Sequence, residues 1–443
     1  MLRYEVDLLK KILEPYEKDV RDSLIARAVT EICKEHDFDI IVSHTTAIES
    51  LVRMHSDQEL VLMSCIRILL ERGFVQFHDA SILINMADQM TDQAEREKAI
   101  SFIVIEMAKI AVTRKNRDLL QRAVGLTCAI EGQRSRSEAL CRIIDEASLL
   151  AVEQNDLNLL NRMRVWSSDL LDKDFELYAY ESVINGMIRY GIHQLSPDAL
   201  NEAYSLTQQI ADLSLRQQLR ESILEGLVRI GCLLFAEAEP EPEDSAAFAR
   251  EVEPFERTIQ LLKEQKNRHQ IALKLARYID IVLEYKQASK NSGYIVPLAM
   301  FILEIESPLE RNAMIYRISA HFKDFVEEMD SPGPNEVMVD LLQRLEQSRT
   351  SITVMNLTYR FLSLTADSYL KFSKMANLAD AYLSIKKNRR AQEILHAVHG
   401  SVGQLRDPFE QVMILADLAG LLGRVDEEEA RACLNEAFGL LGR

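Results

Sequence analysis

Apolar residues along this chain recur at intervals of three, four and seven, and the pattern restarts about every 40 residues. "REKAISFIVIEMAKIA" begins at Arg96, "RSEALCRIIDEASLLA" at Arg136, "ELYAYESVINGMIRYG" at Glu176 and "RQQLRESILEGLVRIG" at Arg216. Later blocks at Arg268 and Arg311, and earlier ones at Arg21 and Asp57, fit the same scheme. Within a block, side chains such as Ala139, Ile143, Ala147 and Leu150 share one helical face. A polar turn follows ("RKNRD", "EQNDL" or "HQLSPD"), and then a second stripe. Leu159, Met163, Trp166 and Leu170 form one such stripe, and Leu200, Ala203, Leu206 and Ile210 form the next. Ser196 suits the cap of its helix, and Pro197 suits the first turn, where a missing N–H costs little.

Each block therefore predicts two antiparallel helices. A lone hairpin cannot bury two apolar stripes, whereas stacked hairpins cover one another. The predicted fold is all-α: an α-solenoid of about nine or ten stacked antiparallel helical hairpins with a period near 40 residues. Residues 1–20 read as an N-terminal capping helix, 21–349 as the regular hairpins, and 350–443 as a less regular set with a terminal cap. The arginine that opens so many first helices suits a structural role: it can bond the last carbonyls of the preceding helix or pair with a nearby acid.

The spacing lengthens once. Arg216 and Arg268 lie 52 residues apart, 12 more than the surrounding spacing. The excess coincides with residues 236–256, "AEAEPEPEDSAAFAREVEPFE", which hold eight acids, one arginine and three prolines. Alternating Glu-Pro and Glu-Ala makes no apolar face, so an acidic loop between two helices is expected there. Glu237, Glu239, Glu241, Glu243 and Asp244 become candidate contacts for a basic partner. The turn "KKNRR" (Lys386, Lys387, Arg389 and Arg390) is the candidate contact for an anion or an acidic peptide.

"LADAYLSIKKNRRAQEILHAV" resembles a tetratricopeptide unit: Leu378, Ala379, Tyr382, Ala391 and Leu395 fall where that family places its packing residues. The last hairpin, with Leu415, Ala416 and Ala419, is similar with a shifted second helix. Most other blocks are longer than a tetratricopeptide unit and lack its early tryptophan; their length is nearer the HEAT class. The chain as a whole thus resembles the tetratricopeptide/HEAT-like helical-repeat superfamily at the level of pattern. The resemblance implies a right-handed superhelix with a groove for peptides or proteins, and it carries over no catalytic residue.

Composition sharpens this picture. Only 15 glycines and 10 prolines punctuate 443 residues, which favours long helices over many short strands. A net charge of −17 opposes binding to a phosphate backbone, so no nucleic-acid partner is expected, while a basic protein or peptide is favoured. Six cysteines without a C-x-x-C pair read as packing residues. The most apolar stretch, "GYIVPLAMFILEIE", falls short of the roughly 18–20 residues that span a bilayer, so a soluble cytoplasmic protein without membrane contact is expected. No phosphate loop, G-x-S-x-G elbow or H-E-x-x-H helix occurs, so neither catalysis nor a cofactor is expected. Glu393, His396 and His399 follow one another at helical-turn spacing, but no obvious fourth ligand stands near them, so no metal is expected. Trp166 and the series Tyr278, Tyr285 and Tyr294 suit helix packing. The expected role is a non-enzymatic protein-interaction scaffold or adaptor. An α/α enzyme with an apolar cavity and an RNA- or DNA-binding solenoid are the alternatives.

Overall fold

The computed structural model describes residues 2–35, 45–55, 57–71, 83–170, 172–237, 245–264, 268–289, 292–319, 321, 336, 338–343 and 352–441. Regular structure among these residues is helical, with no strand. None of their helices is long and apolar enough to cross a membrane. The chain divides into two compact units, residues 1–223 and 224–443. That boundary falls inside one helix, Leu213–Glu237.

In the first unit, α1 (Leu2–Leu13), α2 (Lys18–Glu35), α3 (Thr45–Val52) and α4 (Gln58–Glu71) pack in sequence. Three regular hairpins follow: α5 (Gln93–Thr113) with α6 (Arg117–Leu126), α7 (Gln133–Glu153) with α8 (Leu157–Ser168), and α9 (Lys173–His193) with α10 (Pro197–Leu206). The long helix α11 (Leu213–Glu237) begins the next. Successive first helices pack side by side, α5 on α7 and α7 on α9, as the stacked-hairpin pattern requires. Positions 40 residues apart do the same work. Ala99, Ala139 and Ala179 are buried, as are Ile103, Ile143 and Val183, and Met107, Ala147 and Met187. An apolar residue two to four positions beyond the end of each second helix is likewise buried, at Ile130, Leu170 and Ile210.

The hairpin turns explain how the register is kept. Lys115, Asn155 and Leu195 each adopt a left-handed conformation, with φ of 53, 55 and 49°. The next N–H reaches back to the first helix: Asn116 to the Ala111 carbonyl, Asp156 to Ala151 and Ser196 to Gly191, each at 2.8 Å. This is the Schellman closure of a helix C-terminus. The residue that completes it also caps the following helix. Asn116 accepts from the Leu119 N–H at 3.1 Å, Asp156 from Leu159 at 3.1 Å and Ser196 from Ala199 at 3.5 Å. One short turn thus ends one helix and starts the next. Neighbouring turns are tied together: the Gln154 amide donates to the Lys115 carbonyl at 2.8 Å, and Gln194 donates to the Asn155 side chain at 2.7 Å.

The expected structural role of the opening arginine is also visible. Arg216 donates through Nε to the Ile210 carbonyl at 2.7 Å, and Arg311 reaches the Ile305 carbonyl at 3.4 Å. Lys371 and Gln411 make the equivalent bond six residues back, to Thr365 and Leu405. Arg96 instead pairs with Glu131 at 3.5 Å.

In the second unit, the end of α11 is followed by α12 (Ser245–Lys263), α13 (Arg268–Ser289), α14 (Ile295–Leu303), α15 (Pro308–Ser319), α16 (Ile352–Leu364), α17 (Tyr369–Ser384), α18 (Asn388–Ser401), α19 (Pro408–Leu422) and α20 (Glu427–Leu441). The acidic insertion takes a different form from the expected loop over 236–256. Residues 245–256 belong to α12, where Phe248, Val252, Phe255 and Leu262 are buried at helical spacing. The extra length goes into longer helices: α11 has 25 residues against 21 in α9, and α12 has 19 against 10 in α10. Acids on α12 alternate with this stripe, and it is the stripe that decides the secondary structure.

The most apolar stretch of the chain becomes α14, all nine of whose residues are buried, Pro297 included. It contacts α12, α13, α15 and α16. A helix that is apolar all round belongs inside a protein. Around it sits an aromatic cluster. Phe255 packs on Phe301 at 5.9 Å between ring centroids, Tyr278 packs on Phe301 at 5.8 Å, and Phe235 contacts Phe255 at 5.8 Å and Tyr294 at 5.9 Å. The Tyr294 hydroxyl donates to the Cys232 carbonyl at 2.8 Å. Gly231 makes the close approach possible: a Cβ there would lie 2.5 Å from the Phe255 ring. In the stretch from Leu378 to Leu395, the residues Leu378, Ala379, Tyr382, Ala391 and Leu395 are all buried between helices. Its turn repeats the first unit's closure, with Lys386 at φ 59° and the Lys387 N–H on the Tyr382 carbonyl at 2.9 Å.

Two measurements check these packing arguments. Lys115→Gly removes the cost of a left-handed side-chain residue at an exposed turn, and urea unfolding should show about 1 kcal/mol of added stability. Gly231→Ala should cost about 1–3 kcal/mol in the same assay, although alanine is the better helix former, because its methyl group meets the Phe255 ring. Adding Phe255→Leu to Gly231→Ala should recover part of that loss.

Candidate functional site

The packing between α5, α7 and α9 leaves a groove of about 630 Å³ between them. Its apolar wall is Ile105 from α5 with Phe175 and Tyr178 from α9. Its floor and rim carry Glu138, Asp145, Glu146 and Asp174, together with Lys109 and Arg142. Both cations are engaged inside the protein: Lys109 bonds Glu106 at 2.7 Å, and Arg142 bonds Glu138 at 3.1 Å. Asp145, Glu146 and Asp174 therefore have no ion pair of their own among the described residues.

Asp145 is held in place from α9. The Tyr178 hydroxyl donates to Oδ2 at 2.7 Å, and the Ser182 hydroxyl donates to Oδ1. The hydrogen bond to Asp145 pushes the Tyr178 hydroxyl up to about 12, while the ring stays about half exposed, at 49%. Burial raises the Glu146 carboxyl above its ordinary range; Lys109 pulls the other way, and Asp145 and Glu106 add to the rise. Burial also pushes the Cys141 thiol up to about 12, and that thiol donates to the Phe175 carbonyl at 3.5 Å. Burial thus disfavours the thiolate form of Cys141.

The groove positions behave unlike the packing positions when the hairpins are compared at their 40-residue spacing. Lys98, Glu138 and Tyr178 are equivalent, as are Phe102, Arg142 and Ser182, and Ile105, Asp145 and Asn185. Each set changes chemical class from hairpin to hairpin, whereas Ala99, Ala139 and Ala179 beside them do not change. The contrast separates exposed from packed positions, and it does not single out the groove along the sequence.

A second cavity of about 480 Å³ lies in the second unit. Ile259, Leu262, Ile271 and Leu275 line it, with Glu304, Glu306 and Glu310 at its edge. Glu304 is largely buried and pairs with Lys263 at 2.7 Å and Arg360 at 3.1 Å.

The residues singled out by sequence lie elsewhere. Glu239, Glu241, Glu243 and Asp244 lie outside the described residues; Glu237 ends α11, and its side chain is not among those described. Lys386 and Lys387 are exposed at the α17–α18 turn. Arg389 is 95% exposed and lies 3.5 Å from Glu393. Arg390 bonds Glu393 at 2.7 Å and stacks its guanidinium 4.5 Å over the Tyr359 ring. None of the four lines either cavity. Glu393 is occupied by these arginines, so it does not join the histidines. His399 instead meets Glu429 at 2.6 Å and Glu436 at 3.1 Å from α20, and His396 lies 3.6 Å from Glu429. Among the described residues no group of three or more such side chains is arranged to hold a metal ion. Trp166 is half-buried on α8, Tyr278 and Tyr294 lie in the aromatic cluster, and Tyr285 is half-buried.

No known protein family matches this chain, and no curated protein does. Two solved structures are similar at low identity. Ton1535 from Thermococcus onnurineus NA1 is 12% identical, with 88% of this chain and 99% of that one covered and a TM-score of 0.25. A circular tandem repeat protein with novel repeat topology and enhanced subunit contact surfaces is also 12% identical, over 95% of this chain and 96% of that one, with a TM-score of 0.22. Scores this low carry no argument, and the assignment of stacked helical hairpins stands on the helices, turns and buried stripes described above.

Proposed function

We propose that this protein is a non-enzymatic scaffold of the tetratricopeptide/HEAT-like kind, and that the groove across α5, α7 and α9 seats a segment of a partner polypeptide. The observation that supports this most is the division of labour within each hairpin. Packing positions repeat, while the positions that open onto the groove vary in charge and size and surround a cavity of about 630 Å³. A surface with a half-exposed tyrosine, an apolar wall and fixed polar groups has the mixed character of protein-recognition sites. The cavity is built from neighbouring repeats, which is how stacked hairpins form extended binding faces.

Site-directed photocrosslinking tests this directly. A benzophenone amino acid replaces Tyr178 in the groove in one variant and Val165, which is 57% exposed on α8, in another. In native lysate the groove variant should trap a discrete polypeptide that the Val165 variant does not. Equal trapping at both positions, or none at either, would sink the reading.

A further inference from the structure

We infer that the groove across α5, α7 and α9 selects a basic segment and reads an arginine in it. This deepens the scaffold reading and rests on it.

The groove has the parts that a guanidinium needs. The aliphatic stem of an arginine needs apolar contact, which Ile105 and Phe175 offer at the wall. Its planar head stacks on aromatic rings, and the exposed Tyr178 ring stands at the rim. Its fork of N–H donors matches a carboxylate, and Asp145 and Glu146, about 100° apart around α7, both line the groove. Asp145 arrives with its orientation set by Tyr178 and Ser182, and each of its oxygens keeps room for a further donor.

Charge complementarity names the occupant. Four carboxylates face two cations in the groove, and both cations are bonded to acids of their own helices. Burial is what most disfavours the charged form of the half-buried Glu146, and Lys109, already bonded to Glu106, offsets it in part. A guanidinium in the groove would offset it further, and an acidic or neutral segment would not. Lysine supplies a point charge without the planar fork, so it satisfies only part of this arrangement.

The test uses the full-length protein and four fluorescent ten-residue peptides of one Gly-Ser framework. They carry three arginines, three lysines, three citrullines or three glutamates, and binding is read by fluorescence anisotropy. The arginine peptide should bind at least tenfold more tightly than the citrulline peptide and several-fold more tightly than the lysine peptide. The double variant Glu146→Gln/Asp174→Asn should lose about tenfold for the arginine peptide. It spares Asp145 and its two hydroxyl partners, and a thermal melt checks that it folds. A control with the same charge change at exposed sites outside the groove, Asp118→Asn/Glu428→Gln, should bind within twofold of the parent.

Equal losses in the groove variant and the control would show general attraction to an acidic protein and overturn the inference. Preference for the citrulline or glutamate peptide would overturn it too, while leaving a peptide-binding groove intact. If no peptide binds, the crosslinking result decides where the failure lies. An adduct at position 178 keeps the scaffold and removes the arginine specificity, and no adduct removes both.

Discussion

A helical hairpin has two apolar faces and can bury only one of them within itself. The rest of this structure follows from that shortage. The second face must be covered by the next hairpin, so every unit needs a neighbour in a fixed register. The register here is 40 residues, kept from Asp92 through Asp172 to Asp212 at the helix starts and from Lys115 through Asn155 to Leu195 at the turns. A slip of one residue would rotate a helix by about 100° and move its stripe away from its neighbour.

The turns enforce the register by economy. A Schellman closure leaves no slack at the end of the first helix, and the residue that completes it caps the second. The glutamine bonds between adjacent turns then fix one hairpin against the next. In the second unit the burden shifts from turns to rings. Helices α11 and α12 are longer, and α14 is wholly buried among aromatic side chains, so the unit coheres through a central cluster. The same need to cover apolar surface is met in two ways in one chain.

How much of this was legible in the sequence depended on how local the signal was. The hairpins were legible because apolar spacing is read within one helix, and the Ser196 cap because it is read within four residues. The left-handed residues were not, since lysine and leucine at Lys115 and Leu195 carry no preference for that conformation. Helix α12 was obscured because five of the eight acids and two of the three prolines of 236–256 stand just before it, while part of its buried stripe lies beyond that window, at Leu262. The groove was the least legible. Ile105, Asp145 and Tyr178 belong to three helices and make no motif along the chain. Likewise the partners of His399 on α20 lie 30 and 37 residues away from it.

The separation between packing and groove positions has an evolutionary consequence. Ala139 and Ile143 cannot change without disturbing two helices, whereas Glu138 and Arg142 on the same helix answer mainly to solvent and to whatever lies against them. Mutations at the outer positions can therefore accumulate at little cost to folding, hairpin by hairpin. The outer chemistry of such a fold can change by small steps, with its foundation left untouched throughout.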